Sequence, residues 1–373
     1  MQFKLKEYIM KYLFIATAIF MINSCSNSNT LSEESLKSLD NLFSNQYPIN
    51  EPGAAVLILK GDSIIFNKGY GVADMESMTP INSSTFFNIA SVSKQFSAIA
   101  LMILEEEGKL SLDDKLLKWF PEFNSNALED ITLKHLLSHT SGIPDSRDRS
   151  DRLFVTTAKD VESYSYIGEL KKLNFQPGTS YEYMNPTYQL MYTIIERASG
   201  EKFEDFMRNR IFQKAGMDKT LYFEADRDIP NMSRGYIFNK ESGVFDEFDY
   251  GEESFFATKA DGGIYTSTEE FMKWELALRS NIIVSEKSLK EAHTPFIKTD
   301  EPYTYYGFGW FIERKPGYPQ KIYHTGDNGG FQIYAGRFPK EKVLYLIFSN
   351  RNDRNREANA NTLDEILKEA GVI

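Results

Sequence analysis

A chain of 373 residues with 42 Lys and Arg against 53 Asp and Glu carries a formal charge of −11, the wrong sign for a protein that neutralises nucleic-acid phosphates. With 42% hydrophobic, 14% aromatic and 25% charged residues it can bury a large core, which excludes disordered and collagen-like classes. Its one cysteine rules out an internal disulfide framework and a thiolate metal cage, since both need several.

That cysteine, Cys25, ends the first segment. Lys4, Lys6 and Lys11 precede an apolar run from Leu13 to Ile22, and Asn23-Ser24-Cys25 follows; this is the three-part order of a secretory signal. The run falls short of the roughly 20 residues a spanning helix needs. Ile22-Asn23-Ser24-Cys25 resembles the bacterial lipobox. The resemblance implies a lipoprotein signal peptide over 1–24, a lipidated Cys25, a tether over 25–30 and attachment to a membrane of the bacterial cell envelope, periplasmic or surface-facing. The alternative is an ordinary signal followed by a free thiol.

The folded body is expected over 31–373. Leu31 to Tyr47 reads as an amphipathic helix. Ala54 to Leu59 and Ser63 to Phe66 are β-rich runs around Lys60-Gly61-Asp62, a hairpin signal. From about 90 to 300 the pattern is mostly helical: Ser91 to Glu107 stops at Gly108, Tyr188 to Ala198 stops at Gly200, and Thr268 to Leu278 follows two glycines. Short strands return at Phe308 to Arg314, Lys321 to His324, Phe331 to Phe338 and Val343 to Phe348, and Ala358 to Ala370 closes as a helix. The expected fold is α/β: an antiparallel sheet built from both chain ends and flanked by helices, with a mostly helical second lobe. A ligand site is expected in the crevice between the lobes.

Ser91-Val92-Ser93-Lys94 puts a hydroxyl and an amine on one face of a helix start, where free backbone N–H groups favour a developing oxyanion. A lysine in a dry cleft can lose enough basicity to accept the serine proton. The spacing alone is weak: Ser199-Gly200-Glu201-Lys202 repeats it, and Ser91 also reads as a plain N-cap. Two further elements are Tyr183-Met184-Asn185, just ahead of a helix, and His324-Thr325-Gly326 in the carboxy-terminal sheet.

With these three elements in order the chain resembles the serine β-lactamase and penicillin-binding protein family, its class C β-lactamase branch in particular, with D-alanyl-D-alanine carboxypeptidase and esterase relatives. The stretches Leu136 to Gly142, Gly262-Gly263 and Tyr306 to Trp310 look similar too. The resemblance implies a serine hydrolase without metal or organic cofactor, acting on a small-molecule or peptide substrate. Ser91 would be the nucleophile, Lys94 its proton acceptor and Tyr183 the proton shuttle. The backbone N–H groups of Ser91 and Asp327 would form the oxyanion hole, and Asn185, His324, Thr325 and Gly326 would bind substrate. β-Lactam hydrolysis, D-alanyl peptide cleavage, carboxylester cleavage and D-aminopeptidase activity share these residues, and a non-catalytic penicillin-recognising protein is the alternative outside catalysis.

Three smaller expectations follow. His324 stands where dedicated β-lactamases carry lysine; at an ordinary pKa near 6.5, about a quarter of it is charged at pH 7, so a substrate carboxylate is held less firmly. His135 and His139 are spaced i, i+4, which on a helix seats a metal, though no zinc motif surrounds them. The segment from Tyr236 to Phe256 mixes aromatics with Asp246, Glu247, Asp249, Glu252 and Glu253 and reads as a solvated loop with aromatic anchors, the alternative being a border of the cleft that favours cationic or aromatic substrates.

Overall fold

The computed structural model describes residues 30–147, 151, 154, 157–222, 231–247 and 258–373. The signal segment, Cys25, the tether up to residue 29, and Asp249, Glu252 and Glu253 lie outside the described residues. Among the described residues no helix is long and apolar enough to cross a membrane.

Helix α1 (Glu33–Gln46) starts where Ser32 accepts the Ser35 N–H, 3.1 Å, an N-cap followed by Glu33 and Glu34 at the positive end of the dipole. Strands β1 (Ala54–Lys60) and β2 (Ser63–Tyr70) form the hairpin expected around Gly61, whose φ of +58° suits a glycine. The remaining strands of the main sheet come from the carboxy-terminal part: β3 (Ile297–Lys298), β4 (Thr304–Tyr306), β5 (Phe311–Glu313), β6 (Lys321–Asn328), β7 (Phe331–Phe338) and β8 (Val343–Ser349). Their order is β3-β4-β5-β6-β7-β8-β1-β2, antiparallel throughout, so the two chain ends meet at the β8–β1 seam with Ala54 opposite Ser349.

Alternate residues of β1 serve two cores, because side chains in a strand point to opposite faces. Ala55, Leu57 and Leu59 join one core with α2 (Lys94–Glu106) and α4 (Thr268–Arg279). Ala54, Val56 and Ile58 join the other, with Leu39 and Phe43 of α1 and Leu363 and Leu367 of α5 (Arg356–Glu369). Burying Phe43 completely contributes about 2–3 kcal/mol.

The strand read from Phe308 to Arg314 is shorter, running only over β5 (Phe311–Glu313). Gly307 and Gly309 separate β4 from β5, and at Gly309 (φ +85°) a Cβ would meet the Gln95 Cα at 2.9 Å, so the break lets the chain lie against α2. The inserted lobe also carries strands that helical periodicity did not reveal. Phe87–Asn88, Ile264–Thr266 and Leu221–Tyr222 form a small sheet, and Tyr236–Asn239 pairs with Val244–Glu247. The described part of the segment expected as a solvated loop is therefore a hairpin, anchored where the Arg351 guanidinium lies 4.4 Å from the Phe245 ring centroid.

Asn350, fully buried after β8, ties four segments. It accepts the Gly53 N–H at 2.7 Å and donates to the carbonyls of Val72, Ala73 and Arg234 at 3.2, 3.1 and 2.9 Å.

Candidate active site

Ser91 sits in a tight 3-10 turn, Ala90–Ser93, that leads into α2. Ala90 adopts φ +46°, a left-handed conformation that costs a residue with a Cβ on the order of 1 kcal/mol. The turn is over-determined by its surroundings. Asn88 accepts the Ala90 N–H (2.7 Å), Ile89 N–H donates to the Ile264 carbonyl (3.0 Å), and Ile264 N–H donates to Ser93 Oγ (3.3 Å). No side chain caps this turn or α2, so the reading of Ser91 as an N-cap does not hold and its hydroxyl is left for other work.

Lys94, the first residue of α2, is fully buried. Its ammonium donates three bonds, to Ser91 Oγ (3.0 Å), Asn185 Oδ1 (2.8 Å) and the Asp261 carbonyl (3.0 Å), which uses all three of its protons. Burial pushes its pKa down to about 8; the Asp261 carboxylate holds it up and Arg147 pushes it further down. Asn185 opens α3 (Asn185–Ser199), with Pro186 in the first turn pre-set for helix. That start lies three residues before the expected one and turns Asn185 towards Lys94. The second Ser-x-x-Lys stretch makes no such pair: Gly200 (φ +76°) ends α3, and Ser199 Oγ accepts the Glu201 N–H instead.

Tyr183 places its ring centroid 5.1 Å from Lys94 Nζ. Its hydroxyl is buried without a hydrogen bond, and burial drives the phenol pKa up, with the neighbouring Ser91 hydroxyl opposing. The phenol therefore holds its proton. His139 positions this segment. Its carbonyl accepts the Glu182 N–H (3.0 Å), its Nδ1 accepts the Met184 N–H (3.1 Å), and its ring lies 4.3 Å from that of Tyr183. The i, i+4 premise for His135 and His139 fails, because the helix Leu133–Leu137 ends before His139, and His135 Nδ1 accepts the Thr132 N–H in a capping box.

His324 corrects the expectation of a partly charged ring. It is buried, its Nδ1 donates to the Thr325 carbonyl (2.7 Å), and its Nε2 accepts the Tyr306 hydroxyl (3.0 Å), which fixes a neutral tautomer. Burial, and then the charge of Lys94, push its pKa down to about 3. Both ring nitrogens are occupied inside the fold.

Gly326 lies against the Ser91 turn; a Cβ there would stand 2.4 Å from the Ile89 carbonyl oxygen, so only glycine lets β6 approach. The β6–β7 hairpin closes on Asn328 and Phe331 around Gly329 and Gly330, both with positive φ, a two-residue turn of the type that matches strand twist. Backbone polarity alternates along a strand. With Asn328 bonded to β7, the N–H of Asp327 points to the opposite edge of β6, where pairing with β5 has stopped at Tyr323. The Asp327 side chain is exposed, and Arg356 is 3.5 Å from it. A cavity of about 580 Å³ opens beside Thr325, between Phe311, Tyr323, Tyr334 and Glu357.

Ser91, Lys94, Tyr183, Asn185, His324 and Gly326 therefore lie together, drawn from distant parts of the chain. Sequence reasoning passed over Asn88, His139, Tyr306, Gln189 and Asp261 as members of this site. The Leu136 to Gly142, Gly262-Gly263 and Tyr306 to Trp310 stretches flagged the neighbourhood of three of them, His139, Asp261 and Tyr306, without giving them a task.

The Beta-lactamase family profile matches residues 42–368. Penicillin-binding protein 4* of Bacillus subtilis is 27% identical over 335 residues, 87% of this chain and 73% of that protein. A penicillin-binding protein homologue from Pyrococcus abyssi, described as octameric, superposes with a TM-score of 0.78 at 25% identity over 91% of this chain and 77% of its own. The penicillin-binding protein of Bacillus halodurans gives 0.76 at 27% over 90% and 98%. D-amino acid amidase of Ochrobactrum anthropi, at 22% identity and a TM-score of 0.73 over 90% of this chain and 98% of its own, shares the fold. The chain belongs to the Beta-lactamase family.

Proposed function

We propose that this protein is a serine hydrolase that opens an amide or ester through a covalent acyl group on Ser91. The observation that carries the reading is the buried Lys94 amine within 3.0 Å of Ser91 Oγ, with a pKa brought down to about 8. In its neutral form Lys94 accepts the Ser91 proton as Oγ attacks the carbonyl carbon. The oxyanion is met by the backbone N–H groups of Ser91 and Asp327. Tyr183, protonated in the free enzyme, donates to the leaving nitrogen or oxygen and is reprotonated from Lys94, so one proton travels from Ser91 to the leaving group. Water then attacks the acyl group and the same groups run in reverse. Asn185 keeps Lys94 aimed, and Thr325 and Gly326 line the substrate's path along β6.

The neutral His324 supports substrates that do not depend on a charged carboxylate anchor, so esters and amides of the D-amino acid or peptide type fit better than penicillins. Lipidation of Cys25 would hold the enzyme on a membrane of the cell envelope. Intact-protein mass spectrometry with a penicillin, a D-Ala-D-Ala peptide and a p-nitrophenyl ester tests the reading. Adducts that form on the wild type and vanish in Ser91→Ala are expected, with the fastest turnover on ester or amide. No adduct from any of the three, nor from a fluorophosphonate, would favour a non-catalytic binding protein.

A further inference from the structure

Directly behind Lys94 the chain buries a carboxylate that the reaction scheme above does not use. Asp261 is 7% exposed. Its main-chain carbonyl takes a bond from Lys94, its Oδ2 accepts from Gln189 Nε2 at 3.2 Å, and its Oδ1 is buried with no hydrogen-bond partner. One bond from a neutral amide is poor compensation for a buried anion, which needs several donors or a cation. The surroundings nonetheless hold it in place. Asp160 accepts the backbone N–H groups of Lys259 (2.7 Å) and Ala260 (3.0 Å), and Ser97 Oγ donates to the Ala260 carbonyl. Gln189 lies one helical turn after Asn185, so a single face of α3 holds Lys94 with one amide and Asp261 with the other.

We propose that Asp261 is a positioning residue: its carboxylate, held by Gln189, is the counter-charge that keeps the buried Lys94 basic enough to take the Ser91 proton and pass it on. The proposal rests on Lys94 being the base. Every charged or titratable group facing Lys94 fits it. His139 and His324 are kept neutral by burial, Tyr183 and Tyr188 hold their protons for the same reason, and Arg147, tied to Asp145 at 2.7 Å, acts on Lys94 in the opposite sense. Asp160 faces Asp261 and is pushed up to about 8 by burial and then by the charge of that neighbour. Without it, burial acts unopposed and Lys94 becomes a weaker base.

The test is the pH dependence of Ser91 acylation by a p-nitrophenyl ester in Asp261→Asn, which keeps the main-chain contact and an acceptor for Gln189. The acid limb is expected to move to lower pH by half a unit or more, while the alkaline plateau falls several-fold. Asp261→Ser, equally neutral and smaller, should do the same, and Arg147→Gln should move the limb upward. A structural role would lower the rate or the melting temperature and leave the limb in place. An unmoved limb in the Asp261 variants, or a limb that moves the same way in all three, overturns the proposal. Titration of the Lys94 amine by 15N NMR reads the same shift without catalysis. A shift there in a protein that never acylates would uphold Asp261 and sink the hydrolase reading instead.

Discussion

Replacing Asn350 with alanine tests whether one buried amide holds the two chain ends and the inserted lobe together. The side chain is fully buried and makes four bonds, one accepted from Gly53 and three donated to Val72, Ala73 and Arg234. Each net bond contributes about 1 kcal/mol, and each backbone group left dry and unpaired costs about 1–3. Asn350→Ala should therefore destabilise by about 4 kcal/mol, a large part of the 5–15 kcal/mol that a domain typically has. Asn350→Asp is the sharper variant, because it sets carboxylate oxygens against three carbonyls while still accepting from Gly53. Its native carboxyl pKa must rise above the unfolded value near 3.9, so its extra cost appears as pH climbs past that value and is absent below it. Urea denaturation followed by tryptophan fluorescence at pH 7 and pH 4 reads both. A midpoint for Asn350→Ala within about 1 kcal/mol of wild type, or an Asp variant as stable as wild type at pH 7, would refute the reasoning.

Three further outcomes are expected. Because Lys94 must be neutral to accept a proton and its pKa lies near 8, Ser91 acylation should rise about tenfold per pH unit below that value and level off above it; a flat profile between pH 6 and 9 in stopped-flow ester acylation would contradict this. Gly326→Ala forces a Cβ to 2.4 Å from the Ile89 oxygen, so fluorophosphonate labelling of Ser91 should fall at least tenfold even where circular dichroism is unchanged; wild-type labelling would show that β6 need not approach so closely. His324→Lys should raise penicillin acylation relative to ester acylation by about tenfold, the value of one charge-assisted bond; an unchanged ratio counts against carboxylate recognition at this position.

The legible part of this protein is what short-range pattern encodes. Alternating and continuous apolar runs marked β1, β2, β7 and β8, Gly108 and Gly200 marked the carboxy-terminal ends of α2 and α3, and three short motifs singled out Ser91, Lys94, Tyr183 and Asn185. What escaped depends on groups brought together only by folding. The positive φ of Ala90 is imposed by Asn88 together with the strand Ile264–Thr266, and that strand lies far outside any local window around Ser91. The neutrality of His324 comes from burial and from a lysine 230 positions earlier in the chain. Asp261 reads as an ordinary turn residue before two glycines until Gln189 and Lys94 are set around it. The short strands Phe87–Asn88 and Leu221–Tyr222 are two residues each, below the length at which period-two alternation can register.

The β8–β1 seam has a consequence for how the chain reaches this state. Strand β1 is buried at every position from Ala54 to Leu59, yet its partner in register lies about 300 residues later, a contact of the kind that slows folding most. At typical ribosomal speeds roughly 15–60 s separate the two strands during synthesis. For that interval the β1–β2 hairpin has one open apolar edge, an invitation to pair with another nascent chain. Safe production of this protein therefore depends on something that occupies or shields that edge until Val343–Ser349 arrives, and a circular permutant joining the present ends and opening at an exposed loop should fold faster than the natural order.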